Sequence, residues 1–182
     1  VLARCIDAPL MRASYERRVR YRKTPADLDP ILDTWDPSFK DWGSDAEPLG
    51  NGFYRLIEKD GASRAPITPK GPRFRGKLIV LVDATNSSAT FQFANTVQAN
   101  KLGILVGSPT GGNLRGINGG AFFFLRLPAS GLEVDLPVIG TFPATPQPDR
   151  GLTPDIVVGD SVEDIAQGRD AVLERARTVA RG

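Results

Sequence analysis

The chain contains no histidine, one cysteine and one methionine among its 182 residues. Without histidine it lacks the commonest general base and the commonest zinc ligand. Cys5 is the only thiol, which rules out an internal disulfide framework and leaves no soft ligand set for a transition metal, so no metal or other cofactor is expected. No apolar run approaches the ~20 residues that span a bilayer. Nor does one sign of charge dominate. The net charge of +2 is too small to argue for nucleic acid or an anionic membrane as partner. An initiator Met is absent as well. The start Val-Leu-Ala-Arg reads as the middle of a longer protein, so missing targeting signals carry no information about compartment.

What is present is the make-up of a globular protein: 41% hydrophobic and 24% charged residues, with 19 Gly and 15 Pro marking many turns. The length suits one domain. Residues 1–74 read as an N-terminal helix/strand segment and linker, and residues 75–182 as the core of the same domain.

The most informative stretch is Lys77–Gly112, KLIVLVDATNSSATFQFANTVQANKLGILVGSPTGG. Leu78–Val82 is a short apolar, β-branched run, as expected of a strand buried on both faces. Asp83–Ser87 is a turn of residues that hydrogen-bond their own backbone. Ser88 then opens a helix to about Asn100, with Ala89, Phe93 and Val97 expected on its buried face. A second strand, Ile104–Val106, completes a βαβ crossover. Ser88 thus sits at the carboxyl end of a strand and the amino end of a helix, where reacting groups collect in α/β sheets. The N–H of Ala89 belongs to the first helical turn and is free for a ligand. Ser108–Gly120 is glycine-rich and reads as a mobile surface loop.

Elsewhere the patterns are plainer. Val1–Cys5 resembles the tail of a helix. Arg12–Lys23 alternates as a strand, and its basic residues fit either an anion site or a solvated edge. Thr24-Pro25 predicts a short helix to about Asp33. Trp35, Phe39 and Trp42 fall at helical spacing and read as core. Gly52–Glu58 reads as a strand, Asp60-Gly61 as a turn and Ala62–Phe74 as a loop. Ala121–Leu127 and Leu132–Ile139 form a hairpin. Thr141–Arg150 is a loop, and Ile156–Val158 a last strand. Ser161 with Asp164 caps a terminal helix running to about Val179, whose apolar residues, Val162 and Ile165 among them, give it a docking face.

LVDATNSSATFQFAN, LVGSPTGG, the LRLP–loop–LEVDLP hairpin and Gly151-Leu152-Thr153-Pro154-Asp155-Ile156 occur in this order. Together they resemble the catalytic core of the C-terminal processing (tail-specific) peptidases, a superfamily that includes the tricorn core. The resemblance covers roughly Arg75–Val158. It implies an α/β fold, a crotonase/ClpP-like spiral of ββα units with a β-hairpin and a C-terminal helix. It also implies Ser88 as acylating nucleophile, the Ala89 N–H as an oxyanion donor, Thr110, Gly111 and Gly112 as substrate loop, and a peptide or protein as substrate. Ser87 is the alternative nucleophile if the register differs by one. Several bacterial members are exported, so a periplasmic or extracytoplasmic location is what the family suggests.

The departures matter equally. The processing peptidases carry a lysine base 25 positions beyond the serine, and here that residue is Asn113. An amide cannot take a proton from a serine at neutral pH. The family glutamate three residues beyond the serine is Phe91. The Pro-Thr-Gly-Gly form with Asn is similar to the tricorn branch, whose base is a histidine from earlier in the chain. The base, and the family's R-G-N-x-G-G strand with its oxyanion donor, are therefore expected before Val1. A non-catalytic module binding peptide or ligand on the same fold is the alternative. Asp149 and Asp155 are candidates to orient a base, with Asp155, next to Pro154, reading equally as a turn residue. A missing strand also predicts an exposed sheet edge and self-association through it.

Overall fold

A computed structural model describes residues 1–57 and 65–182. In chain order the strands and helices are β1 (Tyr15–Val19), β2 (Leu32–Asp33), β3 (Ala46–Gly50), β4 (Phe53–Leu56), β5 (Ile79–Val82), α1 (Ser88–Ala99), β6 (Ile104–Gly107), β7 (Ile117–Arg126), β8 (Glu133–Pro143), β9 (Ile156–Val157), α2 (Val162–Ala166) and α3 (Ala171–Arg181). They form two compact units. One comprises Val1–Ala13, Ser63–Arg115 and Gln147–Gly182, the other Ser14–Ala62 and Gly116–Pro146. The turn expected at Asp60-Gly61 lies outside the described residues.

The first unit is a parallel sheet in the order β5-β6-β9, with Ile79 opposite Ile104 and Val106 opposite Ile156. Its core joins Val82 and Leu105 of the sheet to Phe91, Ala94 and Val97 of α1, and to Leu152. The buried face of α1 is therefore the predicted one only at Val97. Ala89 is exposed and Phe93 half-buried, because residues 91, 94 and 97 turn inward and leave the first turn open to solvent. Helix α3 packs on β5 and β6. As the outer strand, β5 leaves Leu81 41% exposed. The run expected to be buried on both faces is an edge.

The expected terminal helix is two helices. Ser161 and Asp164 make the reciprocal capping box of α2. Gly168, at φ +63°, then breaks the run, and Asp170 caps α3 by accepting from the Leu173 N–H at 2.7 Å. Val162 and Ile165 do not dock; both are exposed. At the other end of this unit, Leu2–Arg4 is a single 3-10 turn.

The second unit is an antiparallel sheet in the order β2-β7-β8-β1-β4-β3. Val19, Ala46, Leu56, Ala121 and Ile139 form its core, with Phe39 and Trp42 against them. Trp35 departs from the expectation of core and is 57% exposed. The Thr24-Pro25 helix shrinks to a 3-10 turn, Ala26–Leu28, because Leu32 and Asp33 pair with Leu125 and Phe124 of β7. Arg18 of β1 and Arg20 just beyond it are used internally. Arg18 lies 4.5 Å above the Phe142 ring and pairs with Glu16, and Arg20 lies 4.0 Å above Phe53. The long hairpin β7–β8 reaches Pro143, into the segment expected to be loop.

Candidate active site

The site begins where β5 ends. Beyond Val82 the chain is held by its own polar side chains. The Asp83 carboxylate accepts from the Thr85 N–H at 2.7 Å and the Thr85 hydroxyl at 2.6 Å. Those bonds, the Thr85 hydroxyl first, hold the Asp83 pKa below its ordinary value. Asn86 closes the turn: its Oδ1 accepts from the Asp83 N–H at 2.7 Å, and its own N–H donates to the Asp83 carbonyl at 3.1 Å.

Ser87 is the extended residue before the helix, and Ser88 opens it at φ +49°. That left-handed conformation costs an L-residue on the order of 1–2 kcal/mol and persists only where the surroundings impose it. Here the Ser87 carbonyl accepts from the Thr90 hydroxyl at 2.8 Å and from the Phe91 N–H at 3.2 Å, which anchors the helix side of the turn. The result is a sharp strand-to-helix corner with an exposed Ser88. The Ser88 hydroxyl and the N–H groups of Ala89 and Thr90 have no hydrogen-bond partner among the described residues. A hydroxyl beside unpaired N–H groups at the positive end of a 12-residue helix can attack a carbonyl and leave the oxyanion facing donors.

The glycine loop after β6 comes back to this corner. Gly112 donates to the Asn86 carbonyl at 3.0 Å. A Cβ on Gly111 would overlap the Ala84 carbonyl, and one on Gly112 would overlap the Phe91 ring. These glycines are thus required by close packing against the serine turn and helix. Thr110 is buried, its hydroxyl accepts from the Leu152 N–H at 2.8 Å, and its own N–H donates to the Leu152 carbonyl at 3.1 Å. Leu114 adds a bond to the Arg150 carbonyl. The segment expected to be mobile is pinned along its length.

Asn113, in the place of the lysine base, is occupied elsewhere. Its side-chain amide donates to Asp149 at 2.6 Å, the Arg115 guanidinium donates to the same carboxylate at 2.7 Å, and the Arg115 backbone N–H donates to the Asn113 side-chain Oδ1. Asn113 first, and Arg115 second, hold the Asp149 pKa down. Asp155 is likewise taken: its carboxylate accepts from the Leu105 N–H at 2.7 Å and from Gln98. Among the described residues, no three His, Cys, Asp or Glu side chains cluster as a metal site. The sequence pattern brings Ser88, Ala89 and the glycine loop together and places Asn86 in the self-bonding turn, but it does not single Asn86 out as the residue that closes that turn four positions beyond the strand end.

The sequence pattern of peptidase family S41 matches residues 4–158, most of the chain. The chain belongs to peptidase family S41. A similar fold occurs in the crystal structure of a candidate peptidase from Parabacteroides merdae, with a TM-score of 0.55 and 21% identity. The alignment covers 99% of this S41 chain and 45% of that one, so this chain spans less than half the length of that relative. At such identity the likeness shows the mixed α/β fold alone. Nothing matches among curated proteins.

Proposed function

We propose that this S41 chain is the C-terminal part of a serine-type peptidase of the tail-specific, tricorn-like kind, with Ser88 as acylating nucleophile. The carrying observation is the Ser88 corner: an exposed hydroxyl at φ +49°, unpaired, beside the unpaired N–H of Ala89. Ser88 Oγ attacks the scissile carbonyl, and its proton passes to a general base. The Ala89 N–H and a second donor hold the tetrahedral oxyanion, and the protonated base then supplies the leaving amine. Thr110, Gly111 and Gly112 serve the substrate side through the Gly111 N–H and the loop carbonyls, since the Thr110 side chain and the N–H groups of Thr110 and Gly112 are committed to Leu152 and Asn86.

The base, a histidine by family analogy, comes from residues before Val1. Support for this is negative but specific: the chain has no His, and Asn113 is bound to Asp149 where a lysine would act. The 182 residues alone then have little or no peptidase activity. The Asn113 arrangement also favours a second reading, a non-catalytic module that binds peptide in the same cleft. A fluorophosphonate probe separates the two. Labelling that disappears in Ser88→Ala supports the peptidase. A folded protein that carries the base and takes no label supports the binding module.

A further inference from the structure

Asn86 joins the serine turn to the glycine loop, and we infer that it is the positioning residue for Ser88. The inference rests on Ser88 being the nucleophile. Three hydrogen bonds converge on this residue. Its side-chain Oδ1 and its N–H both engage Asp83, closing a double ring at the end of β5, while its carbonyl points away and receives the Gly112 N–H. It is half-buried, whereas residues 83–85 and 87–90 are exposed.

The geometry of Ser88 explains why such a joint is needed. Its left-handed backbone is set between two anchors. On the helix side the Ser87 carbonyl is held by Thr90 and Phe91. Ser87 makes no side-chain cap, so the strand side depends on the Asp83–Asn86 ring. Removing the Asn86 acceptor releases the Asp83 N–H to solvent, loosens the carbonyl that receives Gly112, and lets the Ser88 hydroxyl drift from the Ala89 N–H. Geometry changes of this kind act on reaction rate far more than on folding.

The test compares the protein that carries the base with its Asn86→Ala variant and with Asn86→Asp, which keeps an acceptor at the same reach. Two quantities are read: the fluorophosphonate labelling rate at Ser88 and amide hydrogen exchange at Asp83 and Gly112. Asn86→Ala is expected to label about 10- to 100-fold more slowly, with faster exchange at both amides and an essentially unchanged thermal midpoint. Asn86→Asp is expected to recover both. Wild-type labelling and exchange in Asn86→Ala overturn the proposal. If the wild-type protein takes no label, the nucleophile reading fails on its own, and exchange decides the role of Asn86. Faster exchange restored by Asp then supports it as the joint, and unchanged exchange removes it.

Discussion

The carbonyl oxygen of Ala84 occupies the place where any side chain at residue 111 would begin. Backbone faces backbone there, so neither partner can yield as a flexible side chain would. Gly111→Ala is expected to destabilise the protein by about 1–3 kcal/mol. Gly119→Ala is the control, because a Cβ there meets nothing within 4 Å. Urea unfolding of the two variants checks the contrast.

Thr110 makes a second prediction about the same loop. Its buried hydroxyl accepts from the Leu152 N–H, so Thr110→Val keeps the shape and leaves a buried donor unpaired. A loss of about 1–3 kcal/mol is expected, with Thr110→Ser closer to wild type. Denaturant midpoints for the pair measure it.

The carboxylate of Asp149 is held below its ordinary pKa by Asn113 and then Arg115. A depressed folded-state pKa stabilises the fold above the unfolded value, roughly pH 4, and that contribution is lost as pH falls through the lower folded value. Asn113→Ala should therefore move the Asp149 midpoint upward, toward the ordinary range. Carboxyl-carbon NMR titration reads this directly. An unchanged midpoint would show that Asn113 does not hold the carboxylate.

The central crossover was legible in the sequence because its signals are local. A β-branched run, an Asp-Ala-Thr-Asn-Ser turn and a helix with a glycine loop behind it each carry their own backbone preference. The buried face of α1 is legible at Val97 and not at Ala89, which is apolar by type and exposed by position, at the open first turn. Hairpin β3–β4 was missed although Asn51-Gly52, at φ +52° and +73°, carries a strong short-range hairpin signal. The strand before it contains Pro48, which is tolerated because β3 lies at the sheet edge. The helix expected from Thr24-Pro25 to about Asp33 lost to tertiary pairing: Leu32 gains burial against β7 that a local propensity cannot weigh. The place of Ser88 at the strand-to-helix corner was legible and its φ was not. Asn113 was read as a missing base, but its bond to Asp149 depends on a contact 36 residues away.

Strand β5 is an outer strand of its sheet, with one side unpaired among the described residues. In an antiparallel pairing of two copies with Ile79 opposite Leu81, Lys77 faces Asp83 at both ends, and the edge groups of Ile79 and Leu81 are in phase. So short a strand gives weak association. Sedimentation of the 182-residue chain should show a concentration-dependent shift that Leu81→Lys removes. A chain that stays monomeric at high concentration contradicts this.

The central claim is that Ser88 is a nucleophile in an S41 peptidase. The most direct measurement is intact mass after fluorophosphonate treatment of the protein that carries the base, followed by peptide mapping of the adduct. One phosphonyl group on Ser88, absent in Ser88→Ala and retained in Ser87→Ala, is the predicted result. An adduct on Ser87, or no adduct on a folded protein, would contradict it.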